Sequence, residues 1–122
     1  MRRDNVTLTG ITDLTATAQS SQINLQHMLG FCIQVVWSGG TSPVGSIKIQ
    51  ASCDNITQSG GIIAASVTNW TDIGGTDTAL SGNSGTILIN LENVYFDFAR
   101  VVYTRTSGTA TTCAVRVVCK GV

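Results

Sequence analysis

Charge is what this sequence has least of: Asp, Glu, Lys and Arg make up 11% of its 122 residues, seven acidic against seven basic, for a net charge of zero. The basic residues Arg2, Arg3, Lys48, Arg100, Arg105, Arg116 and Lys120 are dispersed along the chain. A nucleic-acid binder needs such residues clustered to track a phosphate backbone, so nucleic acid is not an expected partner. Histidine occurs once, as His27, with no nucleophile motif beside it, which argues against triad-type catalysis. No apolar run approaches membrane-spanning length, and Met1-Arg2-Arg3-Asp4-Asn5 leads into polar sequence instead of an apolar signal core. Neither a transmembrane segment nor a signal peptide is therefore expected, and the Asn-x-Thr triplets at Asn5, Asn55 and Asn69 read as unglycosylated.

Motifs for cofactors and metals are also missing. Cys32, Cys53, Cys113 and Cys119 form no CxxC pair, so the zinc-ribbon and thioredoxin patterns are absent. Cys113 and Cys119 share one face of a strand but lie too far apart along it to bridge each other. The expectation is four small buried thiols, open to maleimide only after denaturation, with a bridge from Cys32 or Cys53 to the last strand left open. Gly39-Gly40, Gly60-Gly61 and Gly74-Gly75 match neither GxGxxG nor a P-loop and read as turns. The carboxylate pairs Asp72/Asp77 and Glu92/Asp97 sit in loop-like sequence without an EF-hand or nonapeptide repeat, so they read as solvated. No cofactor, no metal and no enzymatic activity is expected.

What remains is hydroxyl and glycine. Ser and Thr supply 28 residues, Gly 13, and Pro only Pro43. That vocabulary suits strands and turns, and a chain of this length can bury a core as a single domain, 1–122. A period of two runs through Phe31 to Trp37 and Ser46 to Cys53, joined by a turn-rich stretch, and through Ala99 to Arg105 and Thr111 to Cys119, joined across Gly108. Each pair reads as a hairpin. In the second, Val101 would face Val115 and Tyr103 would face Cys113, which also sets Arg100 opposite Arg116, an unfavourable juxtaposition that implies a nearby carboxylate, a bound anion or outward splay into solvent. Thr86 to Leu91, Trp70 to Ile73, Val6 to Thr9 and Gln22 to Leu25 add further strands. Leu14 to Ser21 lacks an apolar stripe and is not expected to be helical. Asp54 to Thr68 and Gly74 to Gly85 read as long loops.

The expected fold is an all-β antiparallel β-sandwich, immunoglobulin-like or jelly-roll, with little or no helix. Its core is drawn from Ile33, Val35, Trp37, Ile47, Ile49, Ile87, Ile89, Val101, Tyr103, Val115 and Val117.

The runs Val35-Val36-Trp37-Ser38-Gly39-Gly40-Thr41-Ser42-Pro43-Val44-Gly45-Ser46, Asn69-Trp70-Thr71, Ile87-Leu88-Ile89-Asn90-Leu91 and Ala99-Arg100-Val101-Val102-Tyr103-Thr104-Arg105-Thr106-Ser107-Gly108 resemble small virion proteins of tailed bacteriophages. The resemblance covers most of the chain from Phe31 onward. The four cysteines depart from it, and the first 30 residues match nothing in it. It implies a non-enzymatic structural protein of the virion, made in the host cytoplasm: a capsid decoration (cement) protein, a head fibre or a tail component. The major capsid protein or other virion proteins are the implied partners, and a homo-oligomer, guessed to be a trimer, is the implied form.

A tail, neck or baseplate component and a carbohydrate-binding module for host-surface glycans are the alternatives. Trp70 is the candidate stacking residue for the last of these. Residues 1–30 read either as an extended arm or as an edge strand of the protein's own sheet. Arg2 and Arg3 at the tip, with Val6 and Leu8 at alternate positions, are the candidate contacts for a neighbour.

Overall fold

Segments rich in Val, Ile and Thr with a period of two satisfy their backbone groups by pairing with other strands, and here every regular element is a strand. The computed structural model describes residues 3–25, 28–53, 58–59, 62–63 and 68–121. In chain order the elements are β1 (Arg3–Leu8), β2 (Ala18–Gln19), β3 (Ile23–Asn24), β4 (Met28–Ser52), β5 (Gln58–Ser59), β6 (Ile62–Ile63), β7 (Thr71–Asp72), β8 (Thr78–Ala79), β9 (Gly85–Glu92) and β10 (Phe98–Gly121). No helix occurs among the described residues.

Eight strands form one open antiparallel sheet: β1, β10 and β4 lie side by side, β7, β8 and β9 flank β4, and β2 and β3 flank β10. The remaining two, β5 and β6, pair with each other inside the first stretch read as a loop, and β8 lies inside the second.

The two expected hairpins do not form. Phe31 to Cys53 belongs, apart from its last residue, to the single strand β4, and Ala99 to Cys119 belongs wholly to β10. These two long strands pair with each other from Met28↔Gly121 at one end to Ser52↔Phe98 at the other. Val101 therefore lies opposite Ile49, Tyr103 opposite Ile47, and Val115 opposite Val35. The register also removes the like-charge problem, because Arg100 lies opposite Gln50 and Arg116 opposite Gln34.

Glycine and hydroxyl residues that signal a turn have made a bend in two paired strands. A straight strand of β10's length would run about 80 Å at roughly 3.3 Å per residue, whereas a compact chain of this size has a radius of gyration of about 14 Å. The pairing is irregular where the bend falls, between Arg105 and Ser107 and between Ser107 and Thr109. Gly39, Ser42 and Gly108 have left-handed φ values of 66°, 46° and 67° there. Ser42 and Pro43 fall between Thr41 and Val44 with no residue opposite them on β10. Pro43, which has no N–H to give a ladder, is tolerated at such a bulge. The Ser42 N–H instead donates to Asn83 Oδ1 at 2.9 Å, and the Gly40 N–H to the Asn83 carbonyl at 2.9 Å, so Asn83 latches the bend from outside.

Every residue expected in the core is buried. All the core residues on β4, β9 and β10 that the sequence singled out share one parity, so they line one face of the sheet on both sides of the bend, and they join a single cluster. Ile11, Leu14 and Leu25, from the segment between β1 and β4, enter the same cluster. Leu14 is fixed by exchanging backbone hydrogen bonds with Ala110, at 2.8 and 3.3 Å. The accessible surface of 6684 Å² is close to the about 6,300 Å² expected of a compact monomer of this mass.

Candidate interaction surfaces

On the half of the sheet that holds Ala99 to Arg105, the even-numbered positions face outward and carry a polar ladder. Arg100 Nε–H donates to Gln50 Oε1 at 2.8 Å, Gln50 Nε2–H donates to Asp72 Oδ1 at 2.8 Å, and Lys48 Nζ donates to Asp72 Oδ2 at 3.0 Å. β4 supplies Lys48 and Gln50, β10 supplies Arg100 from the facing row, and β7 brings Asp72 opposite Gln50. The Arg100 guanidinium lies 4.4 Å from the centre of the Trp70 ring, a cation–π contact that covers one face of the indole.

The hydrogen bond from Gln50, and then that from Lys48, hold the Asp72 carboxyl below its ordinary pKa, while burial lowers that of Arg100. Two cations and one carboxylate leave the ladder with one positive charge. Beside it an open hollow of about 450 Å³ is lined by Ser52, Cys53, Asn69, Thr71 and Phe96, among others. The arrangement leaves an internally hydrogen-bonded row of polar side chains on the outer face. It holds no nucleophile paired with a base, and no group of three His, Cys, Asp or Glu suited to a metal occurs among the described residues.

The other candidate residues lie elsewhere. Arg2, like His27, falls outside the described residues. Arg3, Val6 and Leu8 lie together on β1, opposite Lys120, Val117 and Val115 of β10, at the half of the sheet away from Trp70. Leu8 is buried at 5% exposure and belongs to the core, whereas Val6, in the neighbouring inward row, remains 46% exposed. β1 thus completes the protein's own sheet as its terminal strand. A second hollow, about 560 Å³, lies on the outer side of that same half, between Leu29–Cys32, Asn90–Asn93 and Val118–Gly121.

Lys48, Gln50, Arg100 and Asp72 were not singled out from the sequence as contacts of Trp70. The signal available was the polar alternation of Lys48 and Gln50 across from Arg100, which is visible only once β4 is paired with β10. The cysteines also need correction: Cys53 is exposed and Cys32 half-buried, so the expectation of thiols hidden until denaturation fails for Cys53. Cys53 lies one residue past the end of β4, where the pairing that would have covered it stops. Cys113 is buried, and burial pushes its thiol up to about 11.

Compared with known protein families, with curated proteins and with solved structures, the chain matches none.

Proposed function

We propose that the protein is a non-enzymatic structural component of a tailed-phage virion, a capsid decoration protein that binds the major capsid protein and stabilises the shell, and that it is built as a jelly-roll sandwich. For the architecture, the strand order is the observation that carries the reading. Cut at their bends, β4 and β10 count as two strands each, and β2 with β3 and β7 with β8 count as one each. The first, eighth, third and sixth strands then lie side by side, as do the second, seventh, fourth and fifth. Counted in this way, the order is compatible with two interlocked Greek keys, the architecture of viral capsid and lectin domains, and this supports the jelly-roll reading.

Because an architecture does not by itself carry a function, the virion assignment leans on the resemblance of Val35 to Ser46 and Ala99 to Gly108 to phage virion proteins. The second of those runs enters the bend and is not a closing hairpin. The test is cosedimentation with purified capsids that lack the protein, followed by their thermal disruption. Bound protein and a higher disruption temperature support decoration, while absence of both ends the reading. Peptides recovered only from isolated tails would place the protein in the tail, neck or baseplate. Glycan binding lost in Trp70→Ala would make it a carbohydrate-binding module.

A further inference from the structure

The two edges of one half of the sheet match each other. Across that half the strands run β1, β10, β4, β9, and the pairings align them in straight rows: Leu8–Val115–Val35–Ile87, Thr7–Arg116–Gln34–Leu88, Val6–Val117–Ile33–Ile89, and so on to Arg3–Lys120–Gly30–Glu92. Strand β1 therefore ends in the same rows as Ile87 to Glu92 of β9, with no stagger. Among the described residues neither β1 nor β9 has a second partner on the sheet, so each presents one row of backbone groups at an edge.

Edges of natural sheets are commonly blunted by Pro, Lys, bulges or short strands. Strand β9 has none of these: Gly85-Thr86-Ile87-Leu88-Ile89-Asn90-Leu91-Glu92 pairs with β4 over eight unbroken positions and carries its one charge at the last. Leu88 is 65% exposed on its outward side.

We infer that β9 of one copy pairs with β1 of a second copy, continuing the sheet from molecule to molecule. Direction and face both favour this occupant. Each neighbouring pair in the half-sheet is antiparallel, so β1 and β9 run in opposite senses, and a second copy placed in the same orientation brings its β1 antiparallel to β9. With the rows kept in line, inward Leu8 and Val6 meet inward Ile87 and Ile89, and outward Thr7 meets outward Leu88. A shift by one residue would turn each core-facing side chain against a solvent-facing one.

Val6, left 46% exposed in a core-facing row, gains cover from Ile89. Such a head-to-tail contact closes into a ring if the rotation between copies allows, and otherwise runs on as a filament. The inference does not depend on the virion reading, and its test needs no capsid.

Thr7→Cys and Leu88→Cys, each made with Cys32→Ser and Cys53→Ser and checked for native circular dichroism, are mixed and mildly oxidised. Opposed residues of an antiparallel pair lie about 4.5–5.5 Å apart between Cα atoms, within disulfide reach. The expected result is a covalent dimer joined between positions 7 and 88, identified by peptide mapping, formed in the mixture and not by either variant alone. Light scattering of the unaltered protein should give a mass above that of a monomer. A dimer formed by Leu88→Cys alone would mean two-fold pairing of β9 with itself and would overturn the assignment. So would a protein that stays monomeric and gives no cross-link.

Discussion

Tyr103 is fully buried where β10 approaches the bend, and its hydroxyl has no hydrogen-bond partner among the described residues. Burial raises its pKa, as expected for a phenol cut off from water. A buried hydroxyl without a partner keeps its desolvation cost and returns nothing, so Tyr103→Phe is expected to leave stability unchanged or raise it by about 1 kcal/mol, read from urea denaturation. A clear loss would mean that the hydroxyl is bonded in solution.

Cys113 makes the opposite kind of demand, one that depends on pH. Its thiol titrates at about 11 in the fold, against 9.0 for a free thiol, because burial disfavours the thiolate, with Asp13 adding to the effect. The native protein therefore keeps a proton that the unfolded chain gives up. The stability linked to this group is intact below about pH 9 and declines toward pH 11, by at most about 1.4 kcal/mol per pH unit. The urea midpoint should fall over that range, and Cys113→Ala should flatten the fall, leaving a smaller slope from Tyr103. Maleimide should label Cys53 in the native protein and Cys113 only after unfolding, as mass mapping would show.

The bend in the β4–β10 pair depends on a few positions where only one backbone shape fits. A Cβ on Gly108, already at a left-handed φ of 67°, would run into the Ser42 carbonyl oxygen, whereas a Cβ on Gly74 would meet nothing within 4 Å. Gly108→Ala is expected to cost about 2 kcal/mol or more, and Gly74→Ala to be neutral or stabilising by up to about 1 kcal/mol, both measured by thermal melting. Equal effects would place the bend elsewhere. The same positions mark where reading the sequence succeeded and where it stopped. Which face each residue of Phe31 to Trp37 or Thr111 to Cys119 presents follows from a local period of two, and there Ile33, Val35, Val115 and Val117 are buried as expected. Which strand each one meets is a long-range choice. Gly39-Gly40 and Gly108 carry identical chemistry for a reversal and for a bulged bend, so Val101 was matched with Val115 when its partner is Ile49. The Arg100–Gln50–Asp72–Lys48 ladder was lost with that pairing. Ile11 and Leu14 were illegible for another reason: they lie in an irregular stretch with no period, and Leu14 is held at the core by its pair of backbone hydrogen bonds with Ala110.

Over the whole molecule, stability is spread along one long pair of strands flanked by short ones, so removing a flank tests whether it belongs to the fold. Strand β1 pairs with β10 over six positions, from Arg3↔Lys120 to Leu8↔Val115, and places Leu8 in the core. Gly10, at φ 92° and with no room for a Cβ beside the Gln19 carbonyl oxygen, turns the chain away directly after it. A deletion of residues 1–10 removes this strand and little else. Losing the buried Leu8 side chain alone forfeits about 2–3 kcal/mol, before the pairing itself is counted, from a total of about 5–15 kcal/mol for a domain. The deletion also turns the run from Val115 to Lys120, with Val115, Val117 and Cys119 at alternate positions, from an inner strand into an edge, and an uncovered apolar edge invites association. The truncated chain is therefore expected to melt at a clearly lower temperature and to aggregate on size exclusion. If it instead melts as the full chain does and stays soluble, β1 contributes nothing to the fold. Loss of capsid or self-association with an unchanged melting temperature would make residues 1–10 an arm used only on a neighbour. A strand that serves both roles predicts both losses together, with the fall in melting temperature present even in dilute protein where copies do not meet.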